Sequence, residues 1–199
     1  MKRFLALAIG TLVLAQPSFA RRGGSDNGGD IITRGSQAWF LSESVEDSVE
    51  WLVSSGALLD SALSGAAVDL NSATTATVTL ATAAGQLTET CVMVDESSRG
   101  GTVIKKDTRC GGRPEADTPK LTAGSAAWSV VEGIEHSLRL AVAATPAVLS
   151  QLSSATSNIQ ADGSVLVGLE LSTGTTLNYS CLKTSPRANK WSLRCSLLN

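Results

Sequence analysis

The side chains best placed to do chemistry are carboxylates that recur at fixed spacing beside a tryptophan. Trp39, Glu43 and Glu46 follow one another at i, i+4 and i+7, and Trp128, Glu132 and Glu135 repeat the pattern. On a helix this spacing gathers each set on one flank. Two such acidic flanks could bind a cation or line a cleft between two units. A hydrolase would need two carboxylates at a defined separation, in environments that push their pKa values apart. A simpler use also fits: tryptophan packs the border between helix and sheet, while glutamates keep the outer face soluble. Two copies that share a fold share such residues whether or not they share a function. Packing is therefore the expectation, with Trp39 and Trp128 kept as binding candidates.

The other reactive types add no assembled machinery. His136 is the single histidine, so neither a two-histidine metal site nor a Ser–His–Asp set can be built around it. There is no G-x-S-x-G, no H-E-x-x-H, no phosphate-cradling glycine loop and no calcium loop. No catalytic residue, metal or cofactor is assigned, and an enzyme is not the expectation.

Four cysteines remain, Cys91, Cys110, Cys181 and Cys195. Their C-x18-C and C-x13-C spacings do not suit zinc, and in an exported chain two disulfides are expected. Folding the first pair about its midpoint sets the turn at Gly100-Gly101, a favoured hairpin turn. The same register places Asp95 opposite Lys106 and Glu96 opposite Lys105, two favourable cross-strand pairs. The second pair folds about Ala188. Pairing Cys91 with Cys110 and Cys181 with Cys195 would stabilise by about 3 kcal/mol per bridge through loop closure. Hairpins rooted in this way are rigid, which lowers the ordering cost of meeting a partner. Their tips carry Arg99, Lys105 and Lys106 in one case and Arg187 and Lys190 in the other. Arg99, Lys105, Arg187 and Lys190 are therefore candidate binding residues.

What positions these groups is a duplication. At an offset of 89 residues, positions 35–66 and 124–155 share 12 of 32 residues, where chance in so Ala-, Ser- and Leu-rich a chain gives roughly three. Arg109-Cys110 answers Arg194-Cys195 near the end of each copy. In each copy a serine, Ser36 or Ser125, stands where a helix N-cap belongs. Ala38, Leu41, Val45, Val49, Leu52 and Val53 then recur at helical spacing, as do Ala127, Val130, Ile134, Leu138, Ala141 and Val142. Short second helices are expected over 57–63 and 147–152. The period next falls to two, with strands expected near 75–83, 87–95 and 102–110, and again near 165–171, 177–181 and 191–197. Each unit thus reads as α+β, a helix packed on a roughly three-stranded antiparallel sheet with one hairpin disulfide. The two units either share one continuous six-stranded sheet or lie side by side as two small layered domains. A joined pseudo-dimer is the expectation, because the linker is short and the sheet edges must be covered.

The boundaries follow. Residues 1–20 read as a signal peptide, with Lys2 and Arg3 before an apolar run and Ser18-Phe19-Ala20 as the cleavage site. Residues 21–34 read as a disordered glycine-rich arm, 35–112 as the first unit, 113–123 as a linker with Pro114 and Pro119, and 124–199 as the second unit. Cleavage would leave 14 basic and 18 acidic residues, a charge of −4, which disfavours a nucleic-acid partner. No integral membrane segment is expected after cleavage. The expectation is an exported, periplasmic or secreted, non-enzymatic protein that binds a protein partner or a small ligand. A self-associating envelope component is the alternative, and a small carboxylate-dependent hydrolase the third.

Overall fold

A computed structural model describes residues 31–97, 104–113, 121–187 and 190–198. The expected signal peptide, most of the arm, the Gly100-Gly101 turn, Arg99, Ala188 and both linker prolines lie outside the described residues.

Helix α1 spans Gln37–Ser54 and helix α2 spans Ala126–Ala144. Both begin alike. The Ser36 hydroxyl accepts the Trp39 N–H at 3.1 Å, and Ser125 accepts that of Trp128 at 3.0 Å, satisfying one of the donors a helix start leaves open. The turn into each cap needs a left-handed residue, supplied by Gly35 at φ 82° and Gly124 at φ 85°. Helix α2 stops where it does because Thr145 precedes Pro146 and is pushed to an extended conformation.

Four strands follow each helix: β1 Leu63–Ser72, β2 Thr75–Thr82, β3 Gly85–Ser97 and β4 Ile104–Cys110, then β5 Leu152–Ile159, β6 Val165–Leu171, β7 Thr176–Arg187 and β8 Lys190–Leu197. They form one antiparallel sheet in the order β4-β3-β2-β1-β5-β6-β7-β8. The sheet therefore has eight strands where six are expected. The missing two are β1 and β5, which read from sequence as the end of a short helix and a loop. Leu63-Ser-Gly-Ala-Ala-Val68 is too poor in β-branched and aromatic residues to announce a strand. It is held as one by pairing on both sides. The expected helix over 57–63 is absent, and that over 147–152 is a single 3₁₀ turn at Pro146–Ser150.

The join lies at the middle of the sheet. Strand β1 pairs antiparallel with β5, and Ala67 lies opposite Thr156. Thr156 is the residue 89 positions on, so Ala67 faces its own counterpart and a pseudo-twofold axis passes through this pair. Both helices cover the same face. Phe40, Leu41, Val45 and Val49 from α1 and Ile134 and Leu138 from α2 are fully buried on Val68, Val78, Leu80, Ala155, Val167 and Leu169. Each helix also sits on its unit's disulfide. The Ser48 hydroxyl donates to Cys91 Sγ at 3.4 Å and Ser137 to Cys181 Sγ at 3.6 Å. The two halves are further tied by Asp60, whose carboxylate accepts the Ser125 hydroxyl at 2.5 Å and the Thr122 N–H at 3.3 Å. No described helix is long and apolar enough to cross a membrane.

Candidate functional site

The disulfides join Cys91 to Cys110 and Cys181 to Cys195, and each pair sits directly opposite in its hairpin. The charge register of the first hairpin is the one expected: Asp95 faces Lys106 and Glu96 faces Lys105. The two hairpins form the two edges of the sheet. Seven inter-strand steps of about 4.8 Å separate β4 from β8. Because equivalent strands run antiparallel, the two tips also point to opposite ends. Lys105 on one side and Arg187 and Lys190 on the other therefore belong to separate surfaces. Arg187 and Lys190 are brought together, as register partners.

Trp39 and Trp128 are more than nine-tenths buried. They sit at the third position of their helices, under the serine caps, and the Arg34 guanidinium lies 5.3 Å above the Trp39 ring. The glutamates of the repeated sets lie beside the junction of α1 and α2. Burial pushes the Glu46 carboxyl well above its ordinary value, and Glu43, Glu50, Glu135 and Asp47 raise it further. Glu135 is also raised, by burial first and Glu132 next, against the opposing pull of Arg139 and His136. Arg139 bonds Glu135 at 2.7 Å. His136 stands 3.3 Å from Glu132, and this hydrogen bond outweighs burial to raise the imidazole. Among the described residues no three metal-ligating side chains converge.

The hairpins differ sharply in charge. On and around β3 and β4 some of the cations have partners, while the buried Nε of Arg109 has none among the described residues. Lys106 pairs with Asp95 at 2.5 Å, and Arg113 pairs with Glu89 while its guanidinium stacks on the Trp51 ring. Arg34 reaches over from before α1, donating from Nε to the Lys106 carbonyl at 2.6 Å and standing 3.9 Å from Asp107. Strands β7 and β8 themselves carry no acid. From Leu171 to Asn199 the chain has no Asp or Glu but carries Lys183, Arg187, Lys190 and Arg194. Lys183 donates to the Gly124 carbonyl at 2.7 Å and stacks 5.2 Å from the Trp191 ring. Lys190 and Arg194 are exposed, with no carboxylate partner among the described residues.

The same hairpin exposes apolar surface. Leu182 is 57% exposed, Leu197 52%, Leu198 45% and Trp191 39%. Cys195 and Leu193 alternate with Arg194, so Trp191, Leu193 and Leu197 face the helix side and Lys190 and Arg194 the open side. The candidate site is therefore β7–β8 as a unit. Sequence reading alone finds Arg187 and Lys190 but not Arg194, Trp191, Leu182 or Leu197. The acid-free run after Glu170 is the signal that could have found them. The chain matches no protein family, and no curated protein or solved structure resembles it.

Proposed function

We propose that the protein is an exported, non-enzymatic binding module, made by duplication of one disulfide-stapled α+β unit, and that it holds a protein partner through the β7–β8 hairpin. The observation that carries this reading is the hairpin's composition. It is wholly basic on a chain of net charge −2, exposes Leu182, Trp191 and Leu197, and is fixed at its root by Cys181–Cys195. Cations supply steering and orientation, exposed Trp and Leu supply contact area, and a stapled hairpin gives up little entropy on binding. Capture from envelope and culture-medium fractions on the disulfide-intact protein tests it. One partner should be retained on the intact protein, released by salt, and absent when the bridges are reduced and alkylated. Retention by the reduced protein, or no retention by either, overturns the reading.

A second reading is favoured by one observation, the open outer edge of β8. An envelope component could assemble by joining such edges. Sedimentation separates the two: a monomer at every concentration supports the binding module, and assembly that grows with concentration supports the structural role. A carboxylate-dependent hydrolase draws on the raised Glu46 and Glu135 alone, and would require turnover abolished by Glu46→Gln.

A further inference from the structure

The two outer edges of the sheet have been treated differently, and the difference specifies what one of them accepts. In antiparallel pairs, residues alternate between those bonded to the neighbouring strand and those whose N–H and C=O point away from it. The Leu198 N–H bonds the Asn178 carbonyl at 2.7 Å. In the β7–β8 register this assigns the even-numbered residues Ser192, Arg194 and Ser196 to the inner bonds. The N–H and C=O groups of Leu193, Cys195 and Leu197 therefore face outward, and no described residue bonds them. On β4 the Gly111 N–H to Thr90 carbonyl bond sets the same parity, so Lys106 faces outward there. Its carbonyl is capped by Arg34, with Asp107 close by. The second unit lacks that cap. The counterpart of Arg34 is Ala123, that of Lys106 is Trp191, and that of Asp107 is Ser192.

We propose that the edge of β8 binds an extended segment of a partner protein as a ninth strand, and that this segment alternates apolar and acidic residues. The proposal rests on the binding reading above and names the partner's chemistry. A guest strand opposite Leu193, Cys195 and Leu197 makes about six backbone hydrogen bonds, two at each outward residue. Its side chains alternate between faces. Those on the helix side lie beside Trp191 and Leu197 and are apolar. Those on the open side lie beside Lys190 and Arg194 and carry carboxylates. A second copy of the chain is the wrong guest, because β8 against β8 gathers two lysines and two arginines on one face with no acid to offset them.

The probe is a capped twelve-residue peptide alternating Val and Glu, added to the disulfide-intact protein and followed by residue-resolved amide exchange. The amides of Leu193, Cys195 and Leu197 should exchange at least about tenfold more slowly with peptide, while those of β4 stay unchanged. A peptide with Lys in place of Glu should give no slowing. Lys190→Glu with Arg194→Glu should weaken binding by about tenfold or more, and Leu197→Pro should abolish it by removing one outward donor. Lys105→Glu with Arg109→Glu on β4 should change nothing. The proposal is overturned if the peptide leaves β8 exchange unaltered, if it protects β4 equally, or if Leu193, Cys195 and Leu197 are already protected without peptide. That last result would mean that the chain itself or a second copy covers the edge. If a captured partner survives Leu197→Pro and the charge reversals, strand addition fails and the binding reading stands. If capture itself fails, both fall.

Discussion

The hairpins β3–β4 and β7–β8 have the same frame and opposite surfaces. Each is rooted by a disulfide between directly opposed cysteines, and each lies under a helix whose serine hydroxyl touches the bridge. The first is partly closed: Lys106 pairs with Asp95, Arg113 with Glu89, and the outward Lys106 carbonyl is capped by Arg34. The second has four cations, no acid, and exposed Leu and Trp. A closed edge is what a sheet needs to stay monomeric. An edge left open on an otherwise equivalent scaffold is where a partner belongs.

The sharpest test of the common frame is to remove each bridge in turn. Cys91→Ser with Cys110→Ser and Cys181→Ser with Cys195→Ser should each lower stability by about 3 kcal/mol, because their sequence separations of 19 and 14 give similar closure entropies. Urea unfolding of the oxidised proteins reads this directly. A twofold difference between the pairs would show that the frames are not equivalent.

The next test uses the glycines before the helix caps. A methyl group at Gly35 meets only the flexible Lys106 chain at 2.9 Å, whereas at Gly124 it meets the Trp191 ring at 2.6 Å. Gly35→Ala should cost about 1 kcal/mol for the left-handed backbone. Gly124→Ala should cost roughly twice that, since the ring must also move. Equal losses would mean that Trp191 is not held against the start of α2. A smaller difference is expected at the caps. Ser36→Ala should cost about 1 kcal/mol, and Ser125→Ala somewhat more, because it also leaves Asp60 without its hydroxyl partner.

The helices extend the comparison. Where α1 has Asp47 and Glu50, α2 has His136 and Arg139, which stand against Glu132 and Glu135. Glu46 titrates higher in the folded protein than in the unfolded chain. Its stabilising contribution is complete below the ordinary carboxylate range and is lost as pH rises through the raised folded value. His136 acts in the same direction at higher pH: its contribution is present below the ordinary imidazole value and fades above the raised one. Thermal stability should therefore decline as pH climbs from about 4.5 toward neutrality and beyond. Glu46→Gln should raise the midpoint at pH 7 and flatten the lower part of the decline. An unchanged pH profile would remove Glu46 from the account.

Much of this frame was legible in the residues, and the gaps have physical causes. Helix faces, serine caps and the cysteine pairing follow from local spacing, and the Asp95–Lys106 register follows from the bridge. Strands β1 and β5 do not, because Gly65, Ala66 and Ala67 carry no strand preference and are held by neighbours distant in sequence. The site was half legible. Lys190 could be seen at a turn, but the outward direction of Leu193, Cys195 and Leu197 depends on strand order and register, which no local pattern encodes.

The axis through Ala67 and Thr156 makes the molecule separable in principle along a single line. A cut within residues 114–120 would leave two pieces joined by β1 and β5, the docking of Asp60 and the helix packing. Apart, each piece would present its central strand as a raw edge suited to the other piece or to another copy of itself. The covalent link holds the right pair at high effective concentration. It thereby decides which of those two assemblies forms.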